Sequence, residues 1–337
     1  VSGGVAPVGG GGSAEFPGGL PSFETRFARL SAGIPASQLA SDLSSFGIIN
    51  GYDLEANFTG SSIYLGYQLG VSYALFNQIS IAGGARYVSA MESYEGELQN
   101  IALYTTKNPM GSPPGILNEQ VLGATFSDME VDAKRTGTGV TIIGGIHLSP
   151  FKGLDIGVRY ESLTKLNLIN DTNVDDTKRF EEEGMFPDGK EVDADIPALA
   201  AAGISYQMNQ HLRAETSFTY FFNTAVDWNG REEYVENGFE GGVALEYQFG
   251  DKLAVSAGVL VSRSGATDEY QSDLSYSLNS NSVGLGAQYA LMPNLAVTAG
   301  VSNTLYEEGT NAFDFEEQRQ TYEKTAIVYT VGVGYSL

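Results

Sequence analysis

One hairpin pattern recurs along the sequence: an aromatic-ended extended segment, a short polar turn and a second alternating segment. The four copies are VSYALF-NQ-ISIAGGARYV (71–88), ISYQM-NQ-HLRAETSFTYF (204–221), LEYQF-GD-KLAVSAGVLV (245–261) and AQYALM-PN-LAVTAGV (287–301). Each copy has a tyrosine at the same depth before its turn, and the C-terminal VGVGYSL has a fifth: Tyr73, Tyr206, Tyr247, Tyr289 and Tyr335. A repeated hairpin with a tyrosine at constant depth is typical of a β-barrel wall that crosses a membrane.

Alternation within the extended segments supports a membrane barrel. In 63–75, one face carries only Ile, Leu, Tyr and Val, and the other carries mainly Gly, Gln, Ser and Ala. Strands of soluble sandwiches usually have about 5–6 residues, whereas these segments approach the 9–11 residues that a tilted strand needs to cross hydrocarbon. No run approaches 18 apolar residues, which excludes a transmembrane helix. We predict one all-β domain over 1–337, a transmembrane antiparallel β-barrel.

The connections predict the topology. Tight turns at Asn77-Gln78, Ser149–Lys152, Asn209-Gln210, Gly250-Asp251 and Pro293-Asn294 alternate with polar stretches near 16–61, 99–135, 169–192, 229–236, 271–280 and 307–320. Short periplasmic turns and long extracellular loops are the pattern of outer-membrane barrels. We count about eleven complete strands and a partial one at 1–8. Pro35 and the apolar spacing predict a short amphipathic helix over Ile34–Phe46.

The same alternation places several charged residues in the barrel interior. Charge facing lipid costs roughly 2–4 kcal/mol near the bilayer midplane, which favours this register. Arg159 and Arg213 each have an acid two residues further on the same face, and we expect these pairs to form salt bridges that brace the lumen. Arg86 and Lys165 lack such an acid and are our candidates for binding a ligand carboxylate. Arg159, Arg213 and Phe221 complete the candidate lumenal site.

Many other inward positions are Gly, Ala or Leu, and such a lumen suits an apolar cargo better than the charged constriction of a diffusion porin. Small residues also allow an internal element to approach the wall. Apolar residues of the long loops, among them Leu39, Leu43, Ile116 and Leu117, either pack between loops or form a landing site for a hydrophobic ligand.

Charge and chemistry-bearing residues restrict the function further. The formal net charge is −23 and the acids concentrate between strands, as in Asp171–Asp195, which disfavours nucleic acid as a partner. A solvated acidic face explains this concentration, and divalent-cation bridging to anionic lipid is the alternative. Only two histidines are present and no cysteine, so we predict no catalytic residues, no metal site and no cofactor.

Four segments carry a resemblance to a known family: PVGGGGSAEFPGGLPSFE (7–24), GSSIYLGYQLGVSYALFNQISIAGGARYVSAMESYEGEL (60–98), LDIGVRYES (154–162) and DIPALAAAGISYQMNQHLRAETSFTYFFNTAVDW (195–228). The chain resembles the FadL/TodX group of outer-membrane fatty-acid and hydrocarbon transporters, particularly those of Bacteroidota. The resemblance implies fourteen strands and a lumenal hatch, of which the hatch and the first two strands would precede Val1, leaving about twelve here. It also implies a lateral opening at a kink in the third strand, which falls at Gly9, Gly10, Gly11 and Gly12.

The resemblance and the wall pattern together predict an outer-membrane channel for passive uptake of long-chain fatty acids or similar hydrophobic molecules, with lateral release. The expected partners are such a molecule, outer-membrane lipid and a protein on the extracellular loops. Three alternatives stay open: a partner-binding or secretion-associated platform, an open porin for polar solutes, and a barrel hydrolase that uses His147 or His211.

Overall fold

A computed structural model describes residues 1–179, 182–273, 275–312 and 319–336. Glu181 of the acidic stretch, residues 313–318 of the last predicted loop and Leu337 lie outside these ranges. Twelve strands form the wall: β1 (Ser2–Phe16), β2 (Ile49–Phe76), β3 (Ile79–Thr105), β5 (Met129–Phe151), β6 (Leu154–Glu161), β9 (Leu199–Gln207), β10 (Leu212–Phe221), β11 (Gly238–Phe249), β12 (Leu253–Arg263), β13 (Ser280–Met292), β14 (Leu295–Tyr306) and β17 (Thr325–Tyr335).

The smaller elements lie in the connections. They are β4 (Gly115–Leu117), β7 (Asn167–Asp175), β8 (Glu191–Asp193), β15 (Gly309–Ala312), β16 (Arg319–Tyr322), α1 (Pro21–Leu30), α2 (Glu119–Leu122) and the 3-10 helices Ala36–Gln38, Ser41–Phe46, Gly123–Phe126, Asp176–Arg179, Asn223–Ala225, Glu232–Tyr234 and Asp268–Tyr270. Within the described ranges, no helix combines the length and apolarity needed to cross a bilayer.

The wall strands pair antiparallel in the order β1-β2-β3-β5-β6-β9-β10-β11-β12-β13-β14-β17. The described residues include no ladder between β1 and β17, so these two strands are the edges of the sheet. Four of the five tight turns lie where the sequence predicts them, and the one predicted at Ser149–Lys152 lies at 152–153, because β5 continues to Phe151. These turns fix the register of each hairpin. In the first hairpin, for example, Gln68 pairs with Arg86 and Tyr67 with Tyr87.

The outward face is the apolar one. The five repeat tyrosines are exposed, from 42% for Tyr206 to 66% for Tyr73, together with neighbours such as Leu69 (69%), Val259 (49%) and Leu285 (58%). Such large side chains are exposed in this number only where lipid covers them. The predicted transmembrane wall and its inside-outside alternation are confirmed.

Strand length divides the wall into two sides. The long-strand side comprises β1, β2, β3 and β5, with 15 to 28 residues each, and the short-strand side comprises the other wall strands, with 8 to 13. On β2 the apolar outward stripe ends at Ile63, and the outward residues beyond it are polar, such as Asn57 and Glu55. Residues 49–62 therefore continue the ladder beyond the membrane, over roughly 45 Å at about 3.3 Å per residue.

Three sequence predictions were wrong in this region. The stretches near 16–61 and 99–135 are partly strand rather than loop, because the outward face of the ladder is polar beyond the membrane, although Leu54, Ala56 and Phe58 still alternate on its inward face. The first strand spans Ser2–Phe16 rather than 1–8. The α-helix is Pro21–Leu30, and the predicted helix over 34–46 is two short 3-10 helices, Ala36–Gln38 and Ser41–Phe46.

Candidate functional site

The lumen of the short-strand side is a cavity of about 1030 Å³. Its lining comes from β6, from β9 to β14 and from β17. Hydroxyls from successive strands alternate with glycines: Ser205, Ser217, Ser256, Ser282, Ser302 and Thr330 with Gly157, Gly242, Gly258, Gly284, Gly286 and Gly300. Apolar atoms contribute most of its surface. The lumen is thus small-residue and mainly apolar, as expected, but it also carries hydroxyls on most strands.

The long-strand side is filled instead. The chain between β6 and β9, residues 162–198, is here called the β6–β9 connection, and it covers the inner face of β3 and β5. Its Leu166 and Leu168 are 0% and 1% exposed and pack on Ala90 and Tyr64. Gly139 of β5 has no room for a methyl group, because the Lys165 carbonyl and the Thr164 side chain occupy that position.

A polar network ties the β6–β9 connection to the wall. Glu92 accepts hydrogen bonds from the hydroxyls of Tyr64 (2.7 Å) and Tyr94 (2.8 Å), and it lies 3.7 Å from Arg135. The Arg135 Nε donates to Asn170 Oδ1 at 2.8 Å. The guanidinium also lies 4.9 Å from the ring of buried Phe186, which stacks on Tyr94 at 4.7 Å. This network holds the connection inside the barrel.

Arg86 has partners that the sequence spacing does not reveal. Its Nη1 lies 2.6 Å from Glu161, its Nη2 lies 3.2 Å from the other carboxylate oxygen, and Nε and Nη2 both donate to Gln68. Arg159 also contacts Glu161, at 3.3 Å. The interpretation of Arg86 as an unpaired cation is therefore wrong, whereas the Arg159–Glu161 pair is present as predicted. Two of the candidate lumenal residues, Arg86 and Arg159, thus converge on one carboxylate.

Lys165 has a partner as well. Its Nζ lies 3.1 Å from Asp195 Oδ2, and Asp195 Oδ1 accepts the backbone N–H of Leu166. The Asp195 side chain is fully buried, whereas that of Lys165 is 70% exposed. The prediction that Lys165 lies unpaired is wrong for the same reason as for Arg86, since the acid comes from a distant part of the chain.

The remaining lumenal candidates lie apart from this cluster. Arg213 contacts Glu215 and Glu246, both at 3.2 Å, near the periplasmic end of β10, so the predicted Arg213–Glu215 pair is present. Phe221 is half-buried at the other end of β10, where it pairs with Gly238 and Leu199. The structure therefore brings Arg86 and Arg159 together and leaves Lys165, Arg213 and Phe221 at separate positions.

The predicted kink in β1 is a bulge. The pairing with β2 shifts between Pro7 and Gly9 and again between Gly9 and Gly12. Gly10 and Gly12 have φ values of 80° and 92°, which L side chains rarely adopt, and a side chain at Gly10 would also collide with the backbone of Ile63. Beside the bulge, a cavity of about 290 Å³ lies between β1, Gly66, Gln68 and Arg86.

The loop residues predicted to capture ligand are mostly inside a packed cluster. Leu43 and Leu117 are 5% and 0% exposed, and Leu39 packs against the same group with Phe27, Phe46 and Leu103. Packing between the loops thus explains Leu43 and Leu117, and their assignment to a capture surface is wrong. Ile116 is 46% exposed, and Ile48 and Met110 are also exposed, at 44% and 79%. Among the described residues of these two loops, Ile116, Ile48 and Met110 thus leave an apolar surface at the extracellular end.

Neither histidine meets a serine in the arrangement of a hydrolase. His147 Nε2 lies 3.2 Å from Asp155 Oδ1, and that same oxygen accepts a hydrogen bond from Ser149 at 2.6 Å, so the aspartate rather than the histidine is the middle member. The His211 ring stacks on Tyr247.

The acidic stretch has structural roles where it is described. Asp175 is buried and accepts hydrogen bonds from the backbone of Thr177 and Phe186. Glu183 pairs with Lys190 at 2.7 Å, and this hydrogen bond lowers the pKa of the Glu183 carboxyl. Among the described residues, no three acidic or histidine side chains converge as a metal site.

Sequence reasoning missed Gln68 as a partner of Arg86, although a signal was available. A two-residue turn at 77–78 fixes the register of β2 against β3 and places the two side chains opposite each other. No comparable signal exists for Glu161 or Asp195, because their positions depend on pairings between strands joined by long connections.

The comparisons with known proteins agree with this architecture. No protein-family model and no curated relative matches the sequence. Among solved structures, a Pseudomonas aeruginosa FadL homologue is similar with a TM-score of 0.58 and 13% identity, over 85% of this chain and 75% of that one. The P. putida toluene transporter TodX has a TM-score of 0.54 and 13% identity, over 99% and 77%. The Ralstonia pickettii toluene transporter TbuX has a TM-score of 0.50 and 11% identity, over 84% and 78%.

These neighbours are transporters rather than enzymes, and at such identities the likeness concerns the fold. The predicted resemblance is confirmed at that level. An apolar outward wall, short turns at one end and this shared architecture locate the protein in the bacterial outer membrane. The chain has the fold of the FadL and TodX transporters.

Proposed function

We propose that the protein is a passive outer-membrane channel for long-chain fatty acids or other hydrophobic small molecules. The observation that carries this proposal is the cavity of about 1030 Å³ on the short-strand side, whose surface is mainly apolar and built from small residues. A cavity of this size lies at the upper end of the range for small-molecule sites. Because its side chains are small, an elongated ligand can move along it. The fold shared with hydrocarbon transporters supports the same function.

The route begins at the exposed apolar residues of the extracellular end, Ile116, Ile48 and Met110, and continues through the cavity. A carboxylate head group would meet Arg86 in the cavity of about 290 Å³ beside β1. The bulge at Gly9–Gly12 adjoins this cavity, and we infer that the ligand leaves there sideways into the membrane. Arg159 shares the Glu161 carboxylate with Arg86, and Arg213 and Phe221 occupy other inward positions along the route.

Two neighbouring residues of β12 provide the test of transport. The Ser256 side chain faces the cavity, whereas Ala257 shares the outward face of β12 with exposed Val255 and Val259, so Ser256→Trp fills the lumen and Ala257→Trp adds the same volume outside. We expect Ser256→Trp to abolish most uptake of a labelled long-chain fatty acid by cells that depend on this channel, and Ala257→Trp to leave it unchanged. Equal uptake by both variants, at equal amounts of folded protein in the membrane, contradicts a route through this lumen.

The role of Arg86 is tested by ligand preference. Glu161→Gln removes the charge that competes for the guanidinium, so affinity for a long-chain acid should rise by about tenfold relative to the matching alcohol. An unchanged ratio of acid to alcohol affinity means that the head group does not reach Arg86.

One observation favours a second candidate function, a partner-binding platform. The ladder of β2, β3 and β5 continues beyond the membrane and supports a packed extracellular cluster. If this surface binds a protein partner, that binding should survive Ser256→Trp, whereas uptake should not.

A further inference from the structure

One edge of β5 pairs first with β6 and, further along the strand, with β7, and the ladder is interrupted between these two partners. The pairs with β7 end at Thr136–Ile169, and the pairs with β6 begin at Ile143–Glu161. Ile142 still bonds to Ser162, through its carbonyl to the backbone N–H and through its own N–H to the hydroxyl. By alternation, the backbone polar groups of Val140 and Thr138 point to the same side as those of Ile142, where the ladder is missing.

The interruption exists because the neighbouring chain crosses the inner face of β5. The carbonyl of Lys165 occupies the place of a side chain at Gly139, and that of Asn167 does the same at Gly137. Leu166 and Leu168 are buried against Ala90, which closes the site from the lumen. On the outside, Met91 and Ile169 are 52% and 49% exposed. The result is a notch in the outer wall with a closed floor.

This wall notch has a volume of about 420 Å³ and is lined by Ser89, Met91, Thr136, Thr138, Lys165 and Asn167. Hydroxyl, amide and ammonium groups therefore surround the unpaired backbone groups. The Lys165 side chain is 70% exposed, and its ammonium, which has three N–H donors, lies 3.1 Å from Asp195 Oδ2. A second ammonium, that of exposed Lys134, follows two residues beyond Thr136 on the same outward face of β5.

The height of the wall notch in the membrane is given by the outward residues. From the periplasmic turns upward, β3 is apolar to Tyr87 and β5 to Val140, and above the notch the outward residues are polar, such as Ser93 and Lys134. The notch thus lies at the upper boundary of the hydrocarbon layer. Unpaired backbone groups are costly there unless a polar ligand satisfies them.

We propose that the wall notch binds the phosphate-bearing head group of an outer-leaflet lipid. The phosphate would accept hydrogen bonds from the free backbone N–H groups, the hydroxyls and the two lysines, because such donors are the usual partners of phosphate in proteins. The acyl chains would lie against the apolar wall below, over Val140, Ile142 and Val158, which are 49% to 60% exposed. This binding site is separate from the lumen, so it does not depend on the proposed transport.

The test is native mass spectrometry of the detergent-purified protein titrated with three probes: bis-phosphorylated lipid A, its monophosphorylated form and neutral diacylglycerol. The double variant Lys134→Gln/Lys165→Gln should weaken lipid A binding by about tenfold. Lys152→Gln/Lys252→Gln changes net charge equally at the periplasmic turns and is the matched control. Equal weakening by both double variants, or equally tight binding of diacylglycerol to the wild type, overturns the proposal.

Changing Lys165 also leaves the buried Asp195 carboxylate without its cation, so a second variant is needed that leaves this pair intact. Thr138→Trp fills the wall notch without altering charge, and tryptophan is well tolerated at a membrane boundary. It should remove the phosphate-dependent binding and leave the lumen intact. Unchanged affinity of Thr138→Trp for lipid A shows that the lipid binds elsewhere.

Discussion

Gly139 and Gly157 lie on the inner faces of neighbouring strands, β5 and β6, and have opposite surroundings. A methyl group at Gly139 would collide with the β6–β9 connection, whereas one at Gly157 would meet nothing within 4 Å. The first belongs to the filled long-strand side and the second to the open short-strand side. Inward glycine therefore serves two purposes in one wall: it admits an internal segment on one side and keeps the lumen wide on the other.

Ion pairs show the same contrast. Glu92 and Arg135 have side-chain exposures of 12% and 18% and share further partners, whereas Arg213 and Glu246 are 40% and 33% exposed and face the open cavity. Removing one partner from a buried ion pair is strongly destabilising, whereas a solvated ion pair contributes little to the free energy of unfolding. The filled side should accordingly carry most of the polar contribution to stability.

The largest expected difference in the free energy of unfolding is between two variants, each of which lacks one acid on one of the two sides. Glu92→Gln leaves Arg135 without its charged partner and disturbs two tyrosine hydroxyls, and it should lower the free energy of unfolding by about 3 kcal/mol or more. Glu246→Gln should cost less than about 1 kcal/mol. Urea unfolding of the protein in detergent micelles measures both. Similar losses for the two variants would break the contrast between a filled side and an open one.

Arginine scanning along the outward face of β2 sharpens the boundary of the long-strand side. Leu69→Arg places charge in the hydrocarbon and should cost roughly 2–4 kcal/mol. Asn57→Arg, on the same face but above the apolar stripe, should change stability by less than about 0.5 kcal/mol. Unfolding from lipid vesicles is the measurement. A comparable cost at position 57 means that the membrane reaches higher than Ile63.

Alanine at the two inward glycines tests their different surroundings directly. Gly139→Ala should destabilise by about 1–3 kcal/mol, because the β6–β9 connection must move to admit the methyl group. Gly157→Ala should have an effect within about 0.5 kcal/mol. The same unfolding assay reports both values. Limited proteolysis should also cleave the connection faster in Gly139→Ala, and equal cleavage of both variants contradicts its packing on β5.

The smallest expected effect is a pH dependence of stability caused by Tyr322 of β16, in the connection between β14 and β17. Burial, with a further contribution from the charge of Asp273, raises the pKa of Tyr322 to about 12 from an ordinary value near 10. Between these values the unfolded chain loses this proton and the folded protein keeps it, so stability falls as pH rises through that window. The difference in phenolate absorbance between wild type and Tyr322→Phe measures this pKa. A transition near pH 10 would show that Tyr322 is not buried.

Short-range sequence patterns predicted the wall but not its contents. The outward tyrosines, the tight turns and the i, i+2 ion pairs follow from alternation within a strand, which sequence displays directly. The pairing of Lys165 with Asp195 depends on how residues 162–198 fold back on β5, and that of Arg86 with Glu161 depends on the register between β3 and β5, which a long connection joins. Alternation cannot distinguish a glycine that faces empty space from one that faces a packed segment.

The extension of β2, β3 and β5 beyond the membrane was missed for a related reason. Outward Glu55 and Asn57 are polar because that face meets water, whereas Leu54, Ala56 and Phe58 alternate with them on the inward face. The alternation is therefore present, but it lacks the outward apolar stripe that identifies the membrane-spanning part of each strand. Leu43 and Leu117 were assigned to a surface because their packing partners come from other loops.

The bidentate contact between Arg86 and Glu161 determines how strongly any acid can be retained at that point. A ligand carboxylate would replace that of Glu161 on Arg86. The net gain in binding free energy is then the small difference between two similar ion pairs rather than the full strength of either. Occupancy would then be brief and departure fast. In the proposed transport, a cation whose partner is already present would limit how long each ligand molecule stays bound.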